Sequence, residues 1–159
     1  MLYNLGVTIM YTLQRTNGSD DNFKMLVKLL DDDLNTRYGT LQKEYDKFNS
    51  LDSIKNVIVA YQDSEPVGCG SFKEYDNNTI EIKRMFVKPE NRGSGLANKI
   101  LYALEDWGNE LGYTKSILET GIGQPEAIRF YTKCEYKIIE SFGQYLGNSN
   151  SVCMGKSLA

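Results

Sequence analysis

The segment Arg92-Gly93-Ser94-Gly95-Leu96-Ala97 constrains this chain more than any other, because it joins a run of strand character, Ile80 to Val87, to an amphipathic helix that extends to about Tyr113. Glycine lets the backbone adopt conformations closed to other residues and come close to a ligand. The first turn of a helix leaves N–H groups unpaired and carries partial positive charge. A strand, a glycine turn and a helix N-terminus therefore outline a site where main chain could hold a phosphate, against the plainer alternative of an ordinary strand-to-helix turn. A Walker loop is disfavoured, since Gly95 is followed by Leu96 and Ala97 rather than by Lys and a metal-binding hydroxyl. A dinucleotide fingerprint is disfavoured too: Asn98 stands where the third glycine belongs, and the preceding strand follows a hairpin instead of opening a parallel βαβ unit.

The longer stretch Glu81-Ile82-Lys83-Arg84-Met85-Phe86-Val87-Lys88-Pro89-Glu90-Asn91 leading into Arg92-Gly93-Ser94-Gly95-Leu96-Ala97 resembles the acetyl-CoA-binding core of the GCN5-related N-acetyltransferase (GNAT) family. Arg92, Gly95 and Ala97 match its Gln/Arg-x-x-Gly-x-Gly/Ala signature. Downstream, Pro125-Glu126-Ala127-Ile128-Arg129-Phe130-Tyr131 resembles the family's later helix, in which an Ala-x-x-Phe-Tyr pattern carries a tyrosine near the coenzyme sulfur. The likeness is good from Asn56 onward and rests on element order before it. One departure stands out, since Glu135 in Tyr131-Thr132-Lys133-Cys134-Glu135-Tyr136 occupies the place of a glycine that eases the helix end.

Bulk properties agree with a small cytoplasmic enzyme. The 159 residues suit one domain, 1–159, with 1–10 a candidate N-terminal extension ahead of a first strand at Tyr11 to Arg15. No apolar run is long enough to span a bilayer, and no cleavable signal pattern is present. A net charge of −3 disfavours nucleic acid and mildly favours a cationic amine. Cys69, Cys134 and Cys153 are odd in number and lack a Cys-x-x-Cys pair, which argues against a disulfide framework and a zinc site. The chain has no histidine, so Ser-His and Cys-His nucleophile pairs and His-containing metal sites are excluded. Proton transfer has to use carboxylates, tyrosine, lysine or water, and no metal is expected.

Apolar spacing predicts a helix with Phe23, Leu26, Val27, Leu30 and Leu34 on one stripe, running to about Tyr38-Gly39, then a shorter helical piece over Leu41 to Phe48. Asn56 to Tyr61 and Val67 to Phe72 read as strands joined by Asp63-Ser64-Glu65-Pro66, and Asp76-Asn77-Asn78 turns the chain into the strand before the glycine loop. Beyond that loop, Leu96, Ile100, Leu104, Trp107 and Leu111 share a helix face, with Lys99, Glu105 and Glu110 facing water and Gly112 ending the helix. Ser116 to Glu119, a helix opened by Pro125, Tyr136 to Ile139 and Val152 to Met154 complete the order β-α-α-β-β-β-α-β-α-β-β. That order predicts an α/β (α+β) fold in three α/β/α layers around a mixed, largely antiparallel sheet.

The resemblance implies direct transfer of acetyl from acetyl-CoA to an amine, with no covalent enzyme intermediate. It sets Met85, Phe86 and Val87 beside the thioester and the N–H groups of Gly93, Ser94, Gly95, Leu96, Ala97 and Asn98, with Arg92, at the pyrophosphate. Tyr131 is the candidate donor to the leaving thiolate, although Ala127, Phe130, Tyr131 and Cys134 also form a plain core stripe. Glu81 is the candidate base, Glu119 the second, and water relaying to bulk a third. Acceptors are expected beside Arg37, Tyr38, Tyr45, Phe48, Glu119 and the loop Gln144 to Asn150. A small-molecule amine and a peptide amine both stay open, as does a homodimer. The competing classes are a CoA-binding module without turnover and a nucleotide-binding interaction domain.

Overall fold

The computed structural model describes residues 9–38, 51 and 53–158. The expected helical piece Leu41 to Phe48, with Tyr45 and Phe48, lies outside the described residues, as do the side chain of Tyr38 and most of the expected extension 1–10. The strands are β1 (Thr12–Thr16), β2 (Asn56–Gln62), β3 (Glu65–Asp76), β4 (Thr79–Val87), β5 (Lys115–Gly121), β6 (Lys137–Ile138) and β7 (Ser151–Ser157). The helices are α1 (Asp21–Tyr38), α2 (Leu96–Glu110) and α3 (Pro125–Lys133). One sheet orders the strands β1-β2-β3-β4-β5-β7-β6, with β4 and β5 parallel and every other pair antiparallel.

Strand alternation distributes the core over both faces. On β2, Val57 and Val59 pack with Phe23, Leu26 and Val27 of α1, whereas Ile58 and Ala60 pack with Leu96, Ile100 and Leu104 of α2. The result is the expected three-layer α/β/α arrangement. Gly70 on β3 lets α2 lie close to the sheet: a Cβ there would sit 2.5 Å from Met85 Sδ and 2.8 Å from Ile100 Cγ2. Leu104 is fully buried in the α2-side core. Truncating it, Leu104→Ala, should therefore lower stability by roughly 2–5 kcal/mol, measured by denaturant unfolding, with coenzyme affinity unchanged.

Some expectations need correction. The link between β2 and β3 is Asp63-Ser64 alone, both at positive φ (50° and 69°), and Glu65 and Pro66 already pair with Gln62 and Tyr61 in the ladder. Two successive positive-φ residues give a turn whose twist matches that of the flanking strands, which is why four residues are not needed. Leu111, just past the end of α2, is 55% exposed, and Leu101 is buried on the helix in its place. Glu105, read from the sequence as solvent-facing, is buried: it accepts a 2.8 Å hydrogen bond from Tyr136 Oη and pairs with Lys156 at 2.9 Å. Ser116 Oγ and Tyr136 Oη lie 2.8 Å apart, which closes this polar network beneath α2.

Glu135, the residue in the glycine place, holds φ at 73° just after α3. A side chain in the left-handed region costs about 1–2 kcal/mol, part of which glycine recovers and part of which it loses to unfolded-chain entropy. Glu135→Gly should thus raise stability by roughly 0.5–1 kcal/mol, seen as a higher melting temperature.

Candidate active site

The site begins with a fault in β4. Cys69 pairs with Phe86 and Ser71 with Lys83, so β4 carries one residue more than β3 over this stretch, and Arg84 takes φ 59°. Such a bulge bends its strand and switches the alternation of side chains beyond it. Ile80 and Ile82 before it, and Met85 and Val87 after it, face α2; Glu81, Lys83, Arg84 and Phe86 face α1. Arg84 fixes the bulge to α1 through Asp31 at 2.6 Å.

Pairing between β4 and β5 covers Thr79–Ile82 against Lys115–Leu118 and stops there, although β4 continues to Val87 and β5 to Gly121. The two strands thus part at the bulge, leaving a cleft in the sheet between Met85, Phe86 and Val87 on one side and Glu119 on the other.

The glycine loop stands at the mouth of this cleft. Gly93 and Gly95 both lie in the left-handed region, at φ 78° and 82°, and a Cβ on either would meet nothing within 4 Å. Among the described residues, no main-chain N–H from Gly93 to Asn98 finds an acceptor, and α2 has no side-chain cap. The loop is held from behind: Arg92 Nε donates to Val87 O (2.8 Å), Ser94 Oγ donates to Asn91 O (2.7 Å), and Tyr11 Oη donates to Ser94 Oγ (3.2 Å). A fixed array of unpaired donors at a helix N-terminus, open outward, fits a pyrophosphate.

On the α1 face of the cleft, titratable groups converge. Lys83 Nζ lies 3.5 Å from Glu81 Oε2, and the two side chains are 5% and 8% exposed. Tyr145 reaches over from the turn before β7, its hydroxyl 3.2 Å from Glu81 Oε2 and 3.4 Å from Lys83 Nζ. Burial depresses the Lys83 ammonium, with Glu81 opposing, and burial first and Glu81 second push the Tyr145 phenol up. Glu119 is half-buried and lifted to about 7 by burial, with Lys83 opposing and Glu81 adding to the rise.

Tyr131 lies on α3, edge-on to Phe130 (5.0 Å) and Tyr136 (5.7 Å). Burial raises its phenol well above the ordinary value, and among the described residues its hydroxyl has no hydrogen-bond partner. Asn98 Nδ2 of α2 donates to Cys134 Sγ at 3.5 Å, tying α3 beside the loop helix. Arg37, at the end of α1, is paired with Glu126 and sits 3.5 Å from Gly123 O, so it closes the rim between α1 and α3 without entering the buried cluster.

The structure therefore groups Glu81 and Glu119, gathers Met85, Phe86, Val87 and the Arg92–Asn98 loop along one cleft, and leaves Arg37 at its edge. Sequence reasoning missed Lys83, although its i, i+2 spacing from Glu81 on one strand was visible. It named the loop holding Tyr145 without that residue. All three cysteines are free and buried, and no metal-binding group of His, Cys, Asp and Glu occurs among the described residues.

The family model described as Acetyltransferase (GNAT) family matches residues 23–136. Among curated proteins, an IAA acetyltransferase of Azospirillum brasilense is 33% identical over 102 residues, covering 64% of this chain and 67% of that protein. The uncharacterized N-acetyltransferase YsnE of Bacillus subtilis (strain 168) is 32% identical over 101 residues, covering 62% and 67%. A solved Klebsiella pneumoniae protein assigned as an acyl-CoA N-acyltransferase superposes with a TM-score of 0.79 at 29% identity, covering 94% of this chain and 99% of that one. An Elizabethkingia anophelis GNAT family acetyltransferase solved with acetyl-CoA bound shares the fold, with a TM-score of 0.70 at 16% identity over 92% of this chain and 97% of that one.

Proposed function

Because this chain belongs to the acetyltransferase (GNAT) family, we propose that residues 1–159 form one N-acetyltransferase domain that moves the acetyl group of acetyl-CoA to a primary amine by direct attack in a ternary complex. The observation that carries this reading is the cleft between β4 and β5 ending at an open array of main-chain donors. The Gly93–Asn98 N–H groups would hold the pyrophosphate, and β4 from Met85 to Val87 would lie along the pantetheine arm with its unpaired main chain turned to it. A main-chain N–H near Phe86 would polarise the thioester carbonyl.

In the transfer, the amine nitrogen attacks the thioester carbon, the carbon–sulfur bond breaks, and the thiolate takes a proton from Tyr131. A phenol raised by burial stays protonated at neutral pH and has a free hydroxyl to donate. The proton shed by the amine passes to one carboxylate of the pair Glu81 and Glu119 on the α1 face. The acceptor is a small-molecule or peptide amine entering between α1 and the turn before β7.

CoA should raise the melting temperature: at a hundredfold excess over Kd the gain is about 2.7 kcal/mol, or roughly 5–10 °C for a chain of this size. ATP and NAD should do far less. CoA release is then measured with polyamines, amino acids, aminoglycosides and short peptides. No melting shift with CoA would sink the reading.

A further inference from the structure

We propose, building on that reading, that Glu119 rather than Glu81 takes the proton of the acceptor amine, and that Lys83 and Tyr145 create this division of labour by holding the Glu81 carboxylate in a buried clamp. The two carboxylates face the same cleft from adjacent strands, yet their surroundings differ. Glu81 sits 3.5 Å from the Lys83 ammonium and receives the Tyr145 hydroxyl at 3.2 Å, both on Oε2. Protonating Glu81 would discharge that pair and leave Lys83 as an uncompensated charge in a place where its side chain is 5% exposed. Among the described residues, Glu119 has no hydrogen-bond or ion-pair partner. Accepting a proton there breaks no ion pair or hydrogen bond, whereas Oε2 of Glu81 is already engaged by Lys83 and Tyr145.

The groups facing Glu119 are Glu81 and Lys83 from β4, Tyr145 from the turn before β7, and Cys153, its register partner on β7. α1, packed on the same face, commits Asp31 to Arg84. Among the described residues, Lys83 is thus the one cation facing Glu119. Burial, with Glu81 adding and Lys83 opposing, lifts the Glu119 carboxyl to about 7, which suits a group that must be ionised before the amine arrives. Lys83 and Tyr145 are positioning residues in this scheme.

The sign of the stability effect follows from the same geometry. The folded-state value of Glu119 lies above the unfolded one, so the folded chain binds the extra proton between the two and loses stability as pH climbs from about 4.5 to about 7. At pH 8 the wild type carries an unpartnered charge that Glu119→Gln removes.

The test pairs Glu119→Gln with Glu81→Gln. At pH 8, Glu119→Gln should raise the melting temperature and Glu81→Gln should lower it by removing the buried ion pair with Lys83; this comparison requires no acceptor. Kinetically, Glu119→Gln should cut kcat/KM by roughly 10²-fold at neutral pH, the lower end of general-base effects, and erase the rising limb near pH 7. Glu81→Gln should keep that limb but move it to lower pH, since Lys83 then turns to Glu119. Coenzyme Kd should hold in both. The proposal is overturned if Glu119→Gln melts no higher than wild type at pH 8, or if the limb disappears in Glu81→Gln and survives in Glu119→Gln. Failure of wild-type protein to bind CoA or release it with any amine would instead refute the acetyltransferase reading, while the melting comparison would still decide independently which carboxylate is clamped.

Discussion

Gly95→Val is expected to abolish acetyl-CoA binding while leaving a folded protein. Gly95 holds φ at 82° immediately before the first turn of α2, and its Lys99 N–H to Gly95 O bond (3.2 Å) sets the direction of the helix start. A β-branched residue resists that conformation, at a cost of about 1–2 kcal/mol or more. A Cβ would meet no protein atom within 4 Å, so no steric clash adds to this cost and the core is untouched. What changes is the donor array: the backbone relaxes out of the left-handed region, the N–H groups from Gly93 to Asn98 lose their common direction, and the new side chain fills the phosphate's approach. Titration calorimetry with CoA should detect no binding, whereas Leu104→Ala binds normally and unfolds more easily. A Gly95→Val protein with wild-type Kd and lowered stability alone would reduce the loop to a structural turn.

Local chemistry made much of this architecture legible. The glycine pair announces a strand-to-helix turn because positive φ is needed there, and Pro125 opens α3 because its missing N–H costs nothing at a helix start. Even the misfit was readable: Glu135 fell where a glycine was expected, and its φ is 73°. The site's electrostatics were not legible in the same way. Tyr145 meets Glu81 across a separation of 64 residues, and Glu105 meets Lys156 across 51. Helical periodicity assigned Glu105 to water because periodicity carries no information about a cation arriving from a distant strand. The bulge at Arg84 gave no sign either, since no glycine marks it; its conformation is imposed by the ladder with β3 and by the Asp31 ion pair. The ladder between β4 and β5 ends at Ile82, just ahead of that bulge, and the cleft opens there.

Tyr131→Phe is the second large effect expected, and it separates chemistry from packing. The Tyr131 ring is buried edge-on between Phe130 and Tyr136, contacts that phenylalanine preserves. Its hydroxyl makes no hydrogen bond among the described residues, so removing it should change the melting temperature little. Burial raises the phenol, keeping it protonated across the neutral range and able to donate when negative charge develops on sulfur. If Tyr131 fills that role, kcat should fall by ~10²- to 10³-fold with the acetyl-CoA Kd unchanged, because the lost interaction exists in the transition state and not in the ground state. The rising limb of the pH profile, which belongs to the base, should stay in place. Leaving-group dependence provides the sharpest readout: an acetyl thioester whose thiolate is a weaker base needs less proton donation, so the variant's deficit should shrink with it. Unchanged turnover in Tyr131→Phe with a genuine acceptor would return the ring to the core stripe it forms with Ala127, Phe130 and Cys134, and would leave the thiolate to be protonated by solvent.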